Sequence, residues 1–351
     1  MVQQFEGLRG VAAFAVFIYH FHHVPALAPI TNRLSGFFGT GWVFVDLFFI
    51  LSGWVMGHVY HQRLLSEPGA VHVFLIARIA RLYPLLLASV LAWCAIMPML
   101  GVVVHWDKLG ACLPQLLTLS FTWGPLTCPI PVAPAWSISA EAAVYLVFPL
   151  LLWTGMTQTL VRTIALTCLG VLGYAILALS ETGIHVLGGT APLRAACGFA
   201  IGLGLWRMGD MGFSLQGRIA TNMQIISLIG IIALLVLGRA PFAILLLFSV
   251  LVLTMVSGTG PFAKFCQIRP LVTLGRLSFS IYLWHWFAII WMQQVALPIE
   301  PYILAAIAVA LVVFWAHVSY VFIEAPGRRA IRSALAPQPA KLERVHSEDS
   351  L

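Results

Sequence analysis

The sequence has 351 residues, of which 61% are hydrophobic and only 9% charged, against about 25% charged in a soluble domain. That composition excludes a soluble globular enzyme and places the chain in a bilayer. The net charge of +7 comes from only 19 basic residues, with no basic stripe, zinc-finger spacing or aromatic nucleic-acid motif, so a nucleic-acid partner is excluded too.

Ten apolar runs approach the roughly 20 residues that cross a hydrocarbon core: 8–24, 41–60, 80–104, 136–154, 160–180, 191–207, 220–238, 240–258, 273–296 and 300–323. They predict an all-α polytopic membrane protein with about ten transmembrane helices. The first run is followed by Ala26-Leu27-Ala28, which resembles a signal-peptide cleavage site. Pro29 would directly follow the cut, and His20, His22 and His23 interrupt the apolar core, so the run is expected to stay as a membrane helix. With the N-terminus placed in the cytoplasm, fifteen of the 19 basic residues fall on cytoplasmic segments, and Arg33, Lys108, Arg194 and Arg239 fall outside. This is the positive-inside pattern. An odd number of helices would send the basic C-terminus outside, so both termini are expected in the cytoplasm.

Residues 1–330 are therefore expected to form one membrane-embedded domain, and 331–351 a polar, Pro-containing, disordered cytoplasmic tail. The longest outer loop, 105–135, contains the apolar stretch LPQLLTLSF and is expected to fold back against the helices. It holds Cys112 and Cys128, which an oxidising outer compartment would join; two free thiols in a partly buried loop is the other reading. The remaining four cysteines read as packing residues. Gly198 and Gly202 form a GxxxG spacing, which predicts close helix packing.

Chemistry-bearing residues interrupt four of the runs. In GLRGVAAFAVFIYH (7–20), Arg9 and His20 are eleven residues apart. Eleven residues turn a helix three times plus about 20° and rise about 16 Å, so both side chains share one face but cannot touch. That spacing suits a long substrate with an anionic head at the surface and a reactive end deep inside. The plainer alternative is a snorkelling anchor at Arg9 and a packing residue at His20. Asp46 lies one turn into the second run, Glu141 a little past Trp136 and Ser137 in the fourth, and His285 about three turns into the ninth. Counted from the membrane surfaces, His20, Asp46, Glu141 and His285 reach similar depth in the outer half. Intramembrane ionisable residues are expensive and mark function, and two histidines with two carboxylates could make an acid/base site. A structural polar knot between helices is the alternative. Arg78 and Arg81, in FLIARIARLYP, are expected just before the third helix on the cytoplasmic side, where they could fork onto phosphate oxygens or serve as ordinary anchors, as could Arg276, Arg328 and Arg329. His22 and His23 lack cysteine or carboxylate companions at ligand spacing, so no metal site is expected.

Taken together, FEGLRGVAAFAVFIYH, GWVFVDLFFILSGW, ARIARLYPLL, AWSISAEAAVYLVFPL, LGRLSFSIYLWHW and FIEAPGRR resemble, in order, the motifs of the acyltransferase-3 family of integral-membrane acyltransferases. The likeness spans about residue 5 to about residue 329. One departure is Ala142, where a second carboxylate often follows the glutamate. The given sequence also ends soon after the tenth run, so a membrane core working without an appended hydrolase-like domain is expected. The resemblance implies transfer of an acyl group, by default acetyl, from cytoplasmic acyl-CoA to a hydroxyl of a carbohydrate acceptor such as exopolysaccharide or lipopolysaccharide, in a bacterial inner membrane and with no cofactor beyond the co-substrate. Arg9, Arg78 and Arg81 would hold the CoA phosphates. His20 would be the base, oriented by Glu141 or Asp46, or would carry the acyl group itself. Trp136, Ser137 and His285 would support the site. The rival from another class is a proton-coupled transporter or flippase, but no repeated halves of the kind many transporters show are visible.

Overall fold

The computed structural model describes residues 2–124, 128, 130–180, 188–213, 215–294 and 299–335. Among them there is no strand, and ten helices have 15 residues or more: α1 (Gln3–Tyr19), α2 (Phe44–Ser66), α3 (Ala70–Ile96), α4 (Trp136–Trp153), α5 (Leu160–Leu179), α6 (Ala191–Asp210), α7 (Gly217–Leu237), α8 (Pro241–Met255), α9 (Arg269–Gln294) and α10 (Pro301–Ser319). A π-helical turn, Tyr320–Glu324, leads into α11 (Ala325–Leu335). Each of the ten apolar runs falls on one of these helices. Six, containing α2, α3, α4, α5, α7 and α10, are long and apolar enough to cross a membrane. Helices α1 and α8 are shorter, at 17 and 15 residues, while arginines, glycines and hydroxyls dilute the apolar length of α6 and α9.

Local chemistry sets several ends. Gly238 takes the left-handed conformation (φ 63°) that closes α7, and Pro241 then opens α8 at a position where its missing N–H costs nothing. Glu300 caps α10 by accepting from the Tyr302 and Ile303 amides at 2.9 and 3.3 Å. Helix α3 begins at Ala70, well before the predicted residue 80. Arg78 and Arg81 therefore stand two to three turns inside the helix and not ahead of it, because the half-apolar stretch AVHVFLIA continues the helix beyond the membrane-length run.

Lipid gives no hydrophobic drive for helix association, so close packing and interhelical hydrogen bonds must hold the bundle. Two seams do so. Along the first, Gly7 lies against the Cys266 backbone, Gly10 against Leu271 and Gly275, and Gly275 against Glu6, drawing α1 onto α9. Along the second, Gly53 of α2 meets Phe199, while Gly198 and Gly202 of α6 meet Phe49 and Ile50. A Cβ at any of these positions would collide with a neighbouring helix, so the GxxxG spacing does serve close packing. The first seam fixes Arg9 and His20 beside α9; the second fixes Asp46 beside α6.

The described part of the 105–135 loop folds back against the helices, as expected. It forms two short helices, Trp106–Ala111 and Leu113–Thr118, and Cys112 is joined to Cys128 with their Cα atoms 5.5 Å apart. Leu116, Leu119 and Phe121 are buried. The Thr122 amide and hydroxyl both donate to Ser139 Oγ, at 3.1 and 2.8 Å, and Trp123 Nε1 donates to the Ser139 carbonyl at 2.9 Å. At the other end of the chain, α11 runs to Leu335, past the expected domain limit at 330. The tail from 336 to 351, expected to be disordered, lies outside the described residues.

Candidate active site

A cavity of about 540 Å³ is enclosed between α1, α2, α3, α4, α9 and α11. Its wall on α2 runs from Val45 through Phe48, Phe49, Ser52 and Met56 to Tyr60, with Leu51, Val55 and Val59 beside them. From Val45 to Tyr60 is 15 residues, about 22 Å at the rise of an α-helix, so the cavity runs most of the way along a membrane-length helix. Six arginines line it, Arg9, Arg78, Arg81, Arg276, Arg328 and Arg332, with Arg78 and Arg332 near Tyr60; the acidic side chains lining the cavity are Glu6 and Glu141. The excess is four positive charges. Helix α1 brings Arg9 within electrostatic reach of both Arg81 and Glu141.

The two arginines of α3 are held differently. Arg78 donates to the Tyr60 hydroxyl at 3.0 Å and lies over the rings of Tyr60, Phe74 and Tyr145 at 5.2, 5.8 and 5.5 Å. Arg81 forms an ion pair with the buried Glu324, whose other oxygen accepts from Ser280 at 2.8 Å. The ring of Phe279 lies beneath Arg81 at 5.0 Å.

Further in, the i,i+4 spacing of Ser137 and Glu141 turns both into the cavity from α4, while Ser139 on the opposite face anchors the outer loop. Glu141 Oε1 accepts from Ser52 at 2.7 Å and from Tyr145 at 2.5 Å. Ser137 donates to the Tyr282 hydroxyl at 2.9 Å, which donates in turn to the Pro134 carbonyl at 2.9 Å. Tyr282 lies within electrostatic reach of Arg194, Glu141 and Asp46.

Behind Tyr282 is a pair of histidines. The His285 ring is 5.7 Å from Tyr282 and 4.9 Å from His20. His285 is fully buried. His20 Nδ1 lies 2.8 Å from the Val16 carbonyl and His285 Nδ1 lies 3.2 Å from the Ile281 carbonyl. A carbonyl can only accept, so in both neutral rings Nδ1 carries the proton and Nε2 keeps its lone pair. His285 Nε2 is buried with no hydrogen-bond partner in the structure. His22 and His23 are exposed, with ring centroids 4.0 Å apart, and His23 lies 5.7 Å from His20.

Asp46 is elsewhere engaged. It is fully buried and receives Arg194 in a two-pronged pair, Nε to Oδ1 at 2.8 Å and Nη2 to Oδ2 at 2.7 Å. Tyr174 donates to Oδ1 at 3.0 Å. The Arg194 guanidinium is sandwiched between Trp42 and Trp136, at 4.9 and 5.1 Å. The expected cluster of two histidines and two carboxylates is thus an arrangement around Tyr282 and not a set of direct contacts. The partner at His20 Nδ1 is the Val16 backbone, where Glu141 or Asp46 was expected. Trp136 faces Arg194 and Ser137 faces the cavity. Sequence reasoning missed Tyr282, Arg194 and Glu324. Arg194 carried one signal, a lone arginine near the outer end of an apolar run, and Tyr282 sits inside the LGRLSFSIYLWHW motif. Among the described residues, no group of three or more His, Cys, Asp or Glu is placed to hold a metal ion.

Comparison with known proteins agrees with the geometry. Residues 2–322 match the acyltransferase-domain family Acyl_transf_3. The chain is 26% identical to the O-acetyltransferase OatA of Staphylococcus aureus over 96% of its own length and 58% of the relative's. It is 24% identical to the peptidoglycan O-acetyltransferase OatA of Listeria monocytogenes, over 93% of the chain and 56% of that protein. A protein from the picA locus of Rhizobium radiobacter is 33% identical across 41% of the chain and 78% of its own length. The chain thus spans a little over half the length of the OatA proteins, and no solved structure matches it. With the family match running over nearly its whole length, the chain belongs to the acyltransferase-3 family.

Proposed function

We propose that this protein is a multi-pass membrane O-acyltransferase that takes an acyl group, by default acetyl, from cytoplasmic acyl-CoA and places it on a hydroxyl of a glycan. The observation that carries this reading is the cavity itself. It is cationic at one end, about 22 Å long by helix rise, and bounded by Tyr282, behind which lie His285 and then His20, neither of them in the cavity wall. The name of the Listeria relative, a peptidoglycan O-acetyltransferase, supports a cell-wall glycan as acceptor. In this reading all ten long helices cross the membrane and both termini lie in the cytoplasm of a bacterial cell, which puts the arginine end on the side where acyl-CoA is made and His20 in the outer half.

The chemistry follows from the tautomers. The donor's phosphates stay among the arginines and its extended arm lies along α2 with the thioester toward Tyr282. His20 Nε2 takes the proton of the acceptor hydroxyl as its oxygen attacks the thioester carbonyl. The carbon–sulfur bond then breaks, the ester forms, and the thiolate of CoA leaves and is protonated. The Val16 carbonyl holds Nδ1–H and stabilises the imidazolium, the place a carboxylate takes in a triad. Glu141, fixed by Ser52 and Tyr145, balances the charge of Arg9 along the path. In a second route the acyl group rests on His20 before the acceptor arrives.

The test is transfer from labelled acetyl-CoA by the purified protein in lipid, offered a panel of glycans. The expected result is CoA release with label on the glycan as an alkali-labile ester. A folded protein that releases no CoA, with longer acyl chains and crude glycan lipid also supplied, would refute the reading.

A further inference from the structure

Six arginines around one cavity repel each other unless something negative lies between them. Arg81 is neutralised by Glu324, and Arg78 is held by the Tyr60 hydroxyl and three rings. Arg9, Arg276, Arg328 and Arg332 have no hydrogen-bond or ion-pair partner among the described residues. Three of these four come from the cytoplasmic ends of two elements, α9 and α11. Two further cavity-lining atoms, Arg78 Nε and Ser278 Oγ, are buried without any partner, and buried polar atoms are nearly always satisfied.

Helix α11 is itself unusual. None of its residues is fully buried, and it packs along α3. It is fixed from its root: the Arg81–Glu324 pair, the Ser280–Glu324 hydrogen bond and the contact of Gly327 with Pro84 set where it starts. From there Arg328 and Arg332, one turn apart, both line the cavity, as does Arg276.

We propose that Arg276, Arg328 and Arg332 form the clamp for the phosphorylated nucleotide end of the acyl donor, so that the C-terminal amphipathic helix is a substrate-binding element. Arg78 and Arg81 then shape the mouth, and Arg9 meets the donor further in. The charges match: the three phosphates of CoA carry roughly three to four negative charges, and with Arg81 answered by Glu324 the cavity keeps an excess of three positive ones. Guanidinium forks suit phosphate oxygens better than lysine ammonium groups do. The inference rests on the acyl-CoA reading and assigns the donor's head to particular residues.

The experiment compares two donors, acetyl-CoA and S-acetylpantetheine, which carries the same thioester and no phosphate. It uses the wild type, R276A, the double variant R328A/R332A and the double variant R328K/R332K. The expected result is a fall of about tenfold or more in the ratio of kcat/KM for acetyl-CoA to that for S-acetylpantetheine in the alanine variants, the size expected for lost charge-assisted hydrogen bonds, with partial recovery in R328K/R332K. A ratio unchanged from wild type would overturn the clamp. Calorimetric titration of free CoA into the same proteins in nanodiscs reads the inference without turnover, and protection of the wild type by adenosine 3′,5′-bisphosphate serves if the double alanine variant does not fold. A wild type that binds CoA through these arginines but transfers nothing would uphold the clamp and refute the acyltransferase reading. A wild type that binds no CoA would overturn both.

Discussion

Arg194 and the arginines of the cavity belong to one membrane domain, but they are partnered in opposite ways. Arg194 is fully buried, doubly bonded to Asp46 and sandwiched by Trp42 and Trp136. Every charge there is answered inside the protein. In the wall of the cavity, Arg9, Arg276, Arg328 and Arg332 have no ion-pair partner among the described residues. A closed pair of this kind holds helices α2 and α6 together; an open excess of one sign selects a ligand. An ionisable residue inside a membrane therefore marks either role, and only its partner tells which.

The comparison breaks most visibly at the closed pair. Asp46→Ala leaves a buried guanidinium unanswered, at a cost of about 3–5 kcal/mol. It should appear as a large loss of melting temperature and of folded yield in detergent. Replacing both partners, Asp46→Leu with Arg194→Met, should recover much of that loss, since an apolar pair of similar volume replaces a buried ion pair at little cost. An Asp46→Ala protein that melts like wild type yet turns over poorly would move Asp46 to the reacting atoms.

Glu141 lies on the other side of the divide. Glu141→Gln keeps an oxygen for Ser52 and Tyr145 but removes the charge facing Arg9. Turnover should fall about tenfold or more, the scale of one charged hydrogen bond, with little change in melting temperature. A melting loss without a turnover loss would place Glu141 with Asp46. The smallest effect is expected at the Arg207–Asp210 pair, where Asp210 is 47% exposed. Asp210→Ala should shift stability by no more than about 0.5 kcal/mol, as for other exposed helix pairs.

Much of the fold was legible because its signals are local. Membrane-length apolar runs, the Gly198–Gly202 spacing and two cysteines in one loop can each be read within a short window. Arg9, Glu141 and Ser137, which line the cavity, stood out for a similar reason: an ionisable or hydroxyl residue is conspicuous in apolar surroundings. What could not be read was pairing. Asp46 meets a residue 148 positions away and Arg81 one 243 positions away, so nothing near either shows that its charge is already answered. The return of α11 to the cavity was hidden likewise, since a basic, polar helix after the last apolar run reads as a tail. The Nδ1 partner of His20 was missed because any residue's backbone can supply a carbonyl, while a search of side chains finds only carboxylates.

The central claim is that a donor held by the arginines reaches His20. Release of CoA from acetyl-CoA, measured for wild type and His20→Ala in lipid with melting temperatures recorded beside it, tests that claim most directly. The account predicts that His20→Ala melts close to wild type, still binds CoA at the arginine end, and loses about 10²-fold to 10⁴-fold in turnover, the range for a general base. A folded His20→Ala protein with wild-type turnover would contradict it.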